Sequence, residues 1–333
     1  MDDNRKAFLL RQATGGQVRI LLFVMLMCLL GNDAAEAQVA APRYQVAACD
    51  WMMLKRQKLG EFQLARDIGA AGVEMDMGPL GNRVLFENRF RDPAEVTTFR
   101  RVADSLHIQV PSIAMSGFFA QNFITRSNYR DLMADCLQTM QAFGSKVAFL
   151  PLGGSGHGWK EDGAERDTLI HRLRVVGEMA LHEGVVIGIR TQLSARESKQ
   201  LLKTIGCEGI KIYYNFQDAA DNGRDICEEL RTLGRESICQ IHASNTDSVN
   251  LREDPEIDLP RIKKTLDQMG WSGWLVVERS RDAQKVRDVR YNFGRNVAYI
   301  KEVFGIDEMG GNCQQTPRPA VRWMRAGKLK MKH

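Results

Sequence analysis

Val185–Arg190 reads VVIGIR, Ile210–Asn215 reads IKIYYN, Ser237–His242 reads SICQIH and Trp274–Glu278 reads WLVVE. Each is a short, largely apolar run that closes on a polar side chain: Arg190, Asn215, His242 and Glu278. Runs apolar throughout belong to strands buried on both faces, as in parallel sheets. Parallel strands that finish on polar groups are how an α/β barrel builds a site at its C-terminal end. Side chains alternate along a strand. If the four terminal residues point inward, so do Gly188, Tyr213, Gln240 and Val276, and the polar ends form one ring at a common height.

The first half of the chain continues the pattern. Strand candidates are Tyr44–Cys49, Gly72–Asp76, Gln109–Met115 and Lys146–Leu150. Helical spacing of apolar residues runs through Glu61–Gly69, from Pro93 onward, and through Tyr129–Phe143, Leu169–His182, Ser194–Ile205, Asp221–Leu233, Leu259–Met269 and Val286–Phe304. Ser194 with Glu197 has the spacing of a capping box. Strands alternating with helices over residues 44–306 predict α/β architecture, a single (β/α)8 TIM barrel. A doubly wound sheet fits nearly as well on periodicity, but no G-x-G-x-x-G follows the first strand. Glu74 and Asp76 end the second strand, and Ser116 follows the third. A Gly153–Gly156 loop precedes His157, and Trp51, Phe118, Phe119 and Trp159 also follow strands. In a barrel these residues would surround the same mouth.

The two ends differ from the middle. Arg5, Lys6, Arg11 and Arg19 precede the apolar run Ile20–Leu30, and Ala35-Glu36-Ala37 offers a small-residue cleavage site. This is the pattern of a signal peptide over residues 1–37, followed by a short linker, 38–43. An exported or periplasmic mature chain is therefore expected, with no integral span after cleavage. Residues 307–333 read as a basic tail. The net charge of +5 is modest and comes partly from the ends, so no nucleic-acid partner is expected. Of the seven cysteines six follow the signal; none forms C-x-x-C, and they read mostly as unpaired core thiols.

The segments GIRTQLSA, KIYYNFQDA, CQIHASNTD and WSGWLVVERS resemble the xylose isomerase-like barrel superfamily, in particular exported bacterial members. That superfamily holds sugar isomerases, ketose 3-epimerases, sugar-phosphate isomerase/epimerase-like proteins and a branch of AP endonucleases. The resemblance covers about Tyr44 to Phe304. It implies a divalent metal (Mn, Mg, Co or Zn) held by Glu, Asp, His and Glu from strands five to eight, with the two glutamates as acid and base. His242 and Glu278 match that set. Arg190 stands in place of the first Glu, and Asn215 in place of the Asp.

The substitutions change the charge balance. The family set offers three negative charges to a dication, whereas Arg190, Asn215, His242 and Glu278 offer one negative and one positive. A guanidinium cannot ligate a metal and repels it. The expected catalytic residues are Glu278, His242 and Arg190. Arg190 pairs with Glu278 and acts as the electrophile, and His242 or Glu278 acts as the base. Asn215, Glu74, Gln240, Trp51 and His157 are the expected substrate contacts. A retained metal would use His242, Glu278 and Asn215. The substrate would be a small carbohydrate, and the activity that of an isomerase, epimerase or lyase on a free or oxidised sugar. The alternatives are a non-catalytic sugar-binding barrel and a purely structural Arg–Glu pair. A homo-oligomer is allowed.

Overall fold

A computed structural model describes residues 43–307. Its strands are β1 (Tyr44–Cys49), β2 (Gly72–Asp76), β3 (Ser112–Ala114), β4 (Val147–Pro151), β5 (Val186–Arg190), β6 (Ile210–Asn215), β7 (Ile238–His242) and β8 (Gly273–Val277). All neighbours pair in parallel, and β1 pairs with both β2 and β8, closing the barrel. The helices are α1 (Gly60–Asp67), α2 (Pro93–Leu106), α3 (Tyr129–Phe143), α4 (Ala164–His182), α5 (Ala195–Ile205), α6 (Phe216–Ala220), α7 (Ile226–Leu233), α8 (Leu259–Met269) and α9 (Val289–Phe304). The chain is thus the expected (β/α)8 TIM barrel. No helix among the described residues is long and apolar enough to cross a membrane. The expected signal peptide, and the basic tail from residue 308, lie outside the described residues.

Alternation sorts the strand residues into two cores. Ala47, Cys49, Ala114, Phe149, Tyr213 and Val276 pack inside the barrel. Val46, Ala48, Ile113, Ile189, Ile212 and Leu275 join the larger core between strands and helices. Leu201 and Ile205 anchor α5 there, fully buried, each worth about 1.5–3 kcal/mol relative to exposure. The predicted capping box of α5 forms: Ser194 N donates to Glu197 Oε2, and Glu197 N donates back to Ser194 Oγ. Gly188 decides the fit of the interior. A Cβ there would meet Cys239 Sγ at 2.6 Å and Tyr213 Cβ at 2.9 Å, so only glycine leaves room for the Tyr213 ring.

Two elements differ from expectation. The third strand is three residues long rather than spanning Gln109–Met115. Pro111 has no N–H to give the ladder, and Gln109 makes only an isolated bridge to Gly72. The helix expected over Asp221–Leu233 begins only at Ile226, as α7 capped by Asp225; an extra short helix, α6, capped by Asn215, precedes it, and Gly223 in the left-handed region lies between them.

Near the barrel end a buried acidic group carries a stability consequence. Asp50 and Glu61 are both fully buried, and Asp50 Oδ1 and both Glu61 carboxyl oxygens lack a donor. A proton held between the two carboxyls would supply the donor they lack. Burial, then the Asp76 charge, pushes Asp50 up from 3.8 to about 7. Burial, then Asp50, holds Glu61 well above its ordinary value. A carboxyl whose folded pKa exceeds its unfolded one binds more protons when folded. Its contribution is therefore whole below the unfolded value and is lost as pH rises through about 7. Glu61→Gln removes one charge and supplies an amide donor for Asp50. It is expected to raise the unfolding free energy at pH ~8 by about 1–3 kcal/mol and to flatten the fall between pH ~5 and ~8. A variant no more stable than the parent at the higher pH would show that no shared proton is involved.

Candidate active site

The barrel interior carries a polar layer centred on Glu74, whose side chain is fully buried. Ser112 Oγ and Tyr213 OH each donate to Glu74 Oε2 at 2.6 Å. Gln240 Nε2 donates to Ser112 Oγ and Tyr213 OH, both at 2.8 Å. The remaining carboxylate oxygen, Oε1, lies 2.8 Å from His242 Nε2. A carboxylate only accepts, so Nε2 carries the hydrogen and Nδ1 faces the other way. Burial, then Glu74, holds the Tyr213 hydroxyl well above its ordinary pKa, so it stays a donor. One buried charge is thus met by three donors, the condition under which such a group is tolerated.

Above this layer sits the ring of strand ends. His242 Nδ1 is 3.5 Å from Glu278 Oε2. Asn215 caps α6 through Oδ1, which accepts from Gln217 N at 2.9 Å, and this turns Nδ2 toward Glu278 Oε2 at 3.2 Å. Arg190 Nη1 donates to the same oxygen at 3.4 Å. The main partner of Arg190 is instead Asp218 on α6: Nη2 donates to Oδ1 at 2.7 Å and Nε to Oδ2 at 3.0 Å. The expected Arg190–Glu278 pair therefore exists but is secondary to a bidentate one. Burial alone would raise the Glu278 carboxyl; His242 and then Arg190 outweigh it and hold it below its ordinary value. Glu278 is thus ionised at neutral pH and can accept a proton.

A cavity of about 500 Å³ opens over this ring, lined by Trp51, Arg56, Phe119, Arg190, Glu278 and Arg279 among others. Three of the expected site residues, Arg190, Glu278 and Trp51, therefore face it, and Trp51 lies parallel to Phe149 with centroids 6.3 Å apart. The others do not line it. Glu74 and Gln240 belong to the layer beneath, saturated by the bonds above. His242 is buried behind Glu278, and Asn215 is occupied with capping and with Glu278. His157 is exposed outside the cavity, because the turn after β4 buries Trp159 instead, whose Nε1 donates to Gly156 O. Phe118 is core, packed on Phe86 and Phe123. Sequence reasoning missed Asp218, although Asn215-Phe216-Gln217-Asp218 has the cap-x-x-acid spacing of a helix start. It also missed Arg56 and Arg279, which no motif marks.

The donor set does not fit a dication. His242 Nε2 is engaged by Glu74, Asn215 presents its amide N–H rather than its oxygen, and Arg190 places positive charge 3.4 Å from the carboxylate oxygen a metal would need. Among the described residues, no three His, Cys, Asp or Glu side chains converge with metal-binding geometry.

The family model for the xylose isomerase-like TIM barrel matches residues 62–302. The xylose isomerase domain protein of Planctomyces limnophilus superposes with a TM-score of 0.60 at 13% identity, covering 80% of this chain and 98% of that one. D-psicose 3-epimerase of Clostridium cellulolyticum H10, solved with D-tagatose, gives 0.61 at 12%, covering 78% and 99%. The 3-keto-D-glucoside 4-epimerase of E. coli gives 0.59 at 13%, covering 78% and 99%. At these identities the likeness is one of fold. No curated protein matches the chain in sequence.

Proposed function

This chain belongs to the xylose isomerase-like TIM barrel family, and on that premise we propose that it is a carbohydrate-active isomerase, epimerase or lyase that works by enolisation without a metal. The observation that carries this is Glu278, ionised, facing the same cavity as a guanidinium 3.4 Å away. Glu278 takes the proton from the carbon beside a sugar carbonyl. The electron pair moves to the carbonyl oxygen, where Arg190 stabilises the developing negative charge. Asp218 holds the guanidinium flat and in place. His242, oriented by Glu74 through Nε2, keeps Nδ1 toward Glu278 and holds the carboxylate in place. Returning the proton to the neighbouring carbon on the same face gives isomerisation, delivery of a solvent proton to the opposite face gives epimerisation, and loss of a group at the next carbon gives elimination. One carboxylate serves for the abstraction in all three, whereas the two-base family reaction needs the carboxylate that Arg190 replaces. Sugar as substrate is supported by the epimerases among the structural neighbours and by the Trp51 and Phe119 faces at the cavity. We place the activity outside the cytoplasm from the Ile20–Leu30 run and the Ala35–Ala37 site.

The test is incubation of the full chain in D2O with D-fructose and with a 3-keto-glucoside, with and without EDTA, followed by NMR of the carbon-bound hydrogens. Deuterium incorporation beside the carbonyl, unchanged by EDTA, is expected. Incorporation that EDTA abolishes and manganese restores would overturn the metal-free mechanism. Binding of sugars with no incorporation on either would make the barrel a sugar-binding module.

A further inference from the structure

We propose that the cavity takes a sugar bearing an oxyanion, and that Arg279 and Arg56 read it; this rests on the sugar-directed function above and narrows its substrate class. Three guanidinium groups line the cavity against a single lining carboxylate, Glu278. They are not equivalent. Arg190 is spent on Asp218 and Glu278. Arg56 is partly spent: Nε stands 3.3 Å from Asp76 Oδ1 in an ion pair without a hydrogen bond and Nη2 donates to Ser116 Oγ at 3.3 Å, while Nη1 has no partner among the described residues. The Arg279 side chain, half-buried, makes no hydrogen bond or ion pair with any described residue. The nearby carboxylate that could have taken it, Asp247, is held by Arg281 instead, with Nη2 at 2.6 Å and Nε at 3.0 Å.

An arginine carries five N–H donors in a fork matched to a carboxylate or phosphate. Left free in a partly enclosed cavity, that fork is a vacant half of such a pair. Sugar hydroxyls would accept single hydrogen bonds from it, but only an oxyanion gives the charge-assisted, two-point contact. The position also suits a substrate. Arg56 follows β1 and Arg279 follows β8, and these strands are neighbours in the closed barrel, Ala48 opposite Val277. The two free guanidinium faces therefore belong to one side of the mouth. Arg279 adjoins Glu278 in sequence, so an anion held there sets the sugar over the base. The partners of Arg190 and Arg56, Asp218 and Asp76, lie buried outside the cavity lining and do not cancel Arg279.

Calorimetric titration of the full chain with D-fructose, D-glucuronate and D-fructose 6-phosphate tests this. At least one anionic sugar is expected to bind about tenfold or more tighter than fructose at low salt, with the advantage shrinking as salt rises. Arg279→Gln is expected to bring the anion down to the affinity of fructose with only a small change in melting temperature, since its charge favours Glu278 and Asp247 but no hydrogen bond or ion pair is lost. Which anion gains separates a carboxylate from a phosphate substrate. Equal binding of all three sugars, or an unchanged anion preference in Arg279→Gln, would overturn the inference. Because the readout is binding, it stands apart from turnover. Anion preference with no deuterium incorporation keeps this inference and removes the enolisation mechanism, and incorporation with no anion preference does the reverse.

Discussion

Arg190→Ala is expected to lower the unfolding free energy by about 3–5 kcal/mol and to abolish deuterium incorporation. The stability loss follows from burial. Arg190 is 9% exposed, Asp218 8% and Glu278 4%. Removing the guanidinium strands two carboxylates where water reaches them poorly, and the cost is that of an uncompensated buried charge rather than of the lost contact. The double variant Arg190→Ala/Asp218→Asn removes one of the stranded charges and should recover part of the loss. Urea denaturation reads both. A loss below ~1 kcal/mol, the scale of exposed ion pairs, would mean that the site is wetter than the geometry implies. Arg190→Glu makes the complementary point: it puts a new carboxylate beside Glu278 and Asp218. Manganese should then raise the melting temperature of that variant but not of the parent, which ties the missing metal affinity to this one position.

Arg190 also marks how far the sequence could be read. The strand ends were legible because alternation and a terminal polar residue are local signals. Tyr44–Cys49, Gly72–Asp76 and Ile210–Asn215 stand as the pattern predicts. Asn215, His242 and Glu278 also meet as expected, since Asn215 and His242 face each other across β6 and β7. What escaped was which group each residue touches. Asp218 reaches Arg190 only because Asn215 starts a helix at once, so the acid folds back over the neighbouring strand end. Glu74 was expected at the substrate. It is instead withdrawn by Ser112 and Tyr213, donors from strands on different sides of the barrel, and no spacing along the chain encodes that meeting. Arg56 and Arg279 lie in loops, where a charged residue is by default solvated. Their significance comes from the guanidinium donors they leave unpaired among the described residues, and that is visible only in three dimensions.

Glu278→Gln should cut the rate of deuterium incorporation by about 10²–10⁴-fold while leaving the fold in place, since positioned acid–base groups contribute on that scale. The amide oxygen can still accept from Asn215 and Arg190, so the loss isolates the base itself. The pH dependence has a definite sign. His242 and Arg190 hold the Glu278 pKa below its ordinary 4.5, so the reactive carboxylate is present above that value and is lost as pH falls through it. The parent rate should therefore hold its plateau down into the acid range. Arg190→Lys keeps the charge but loses the planar fork and should move the acid limb to higher pH. Glu74→Gln is a different case, because Glu74 touches no substrate and acts through His242. It should cost about 10–100-fold, as lost supporting hydrogen bonds typically do, and should shift the pH profile without changing sugar affinity. If Glu278→Gln retained the parent rate while His242→Asn lost it, the base would be the imidazole, and Glu278 would serve only to hold Arg190. If both variants exchanged at the parent rate, neither strand-end residue would be the base, and proton abstraction at this ring would be ruled out.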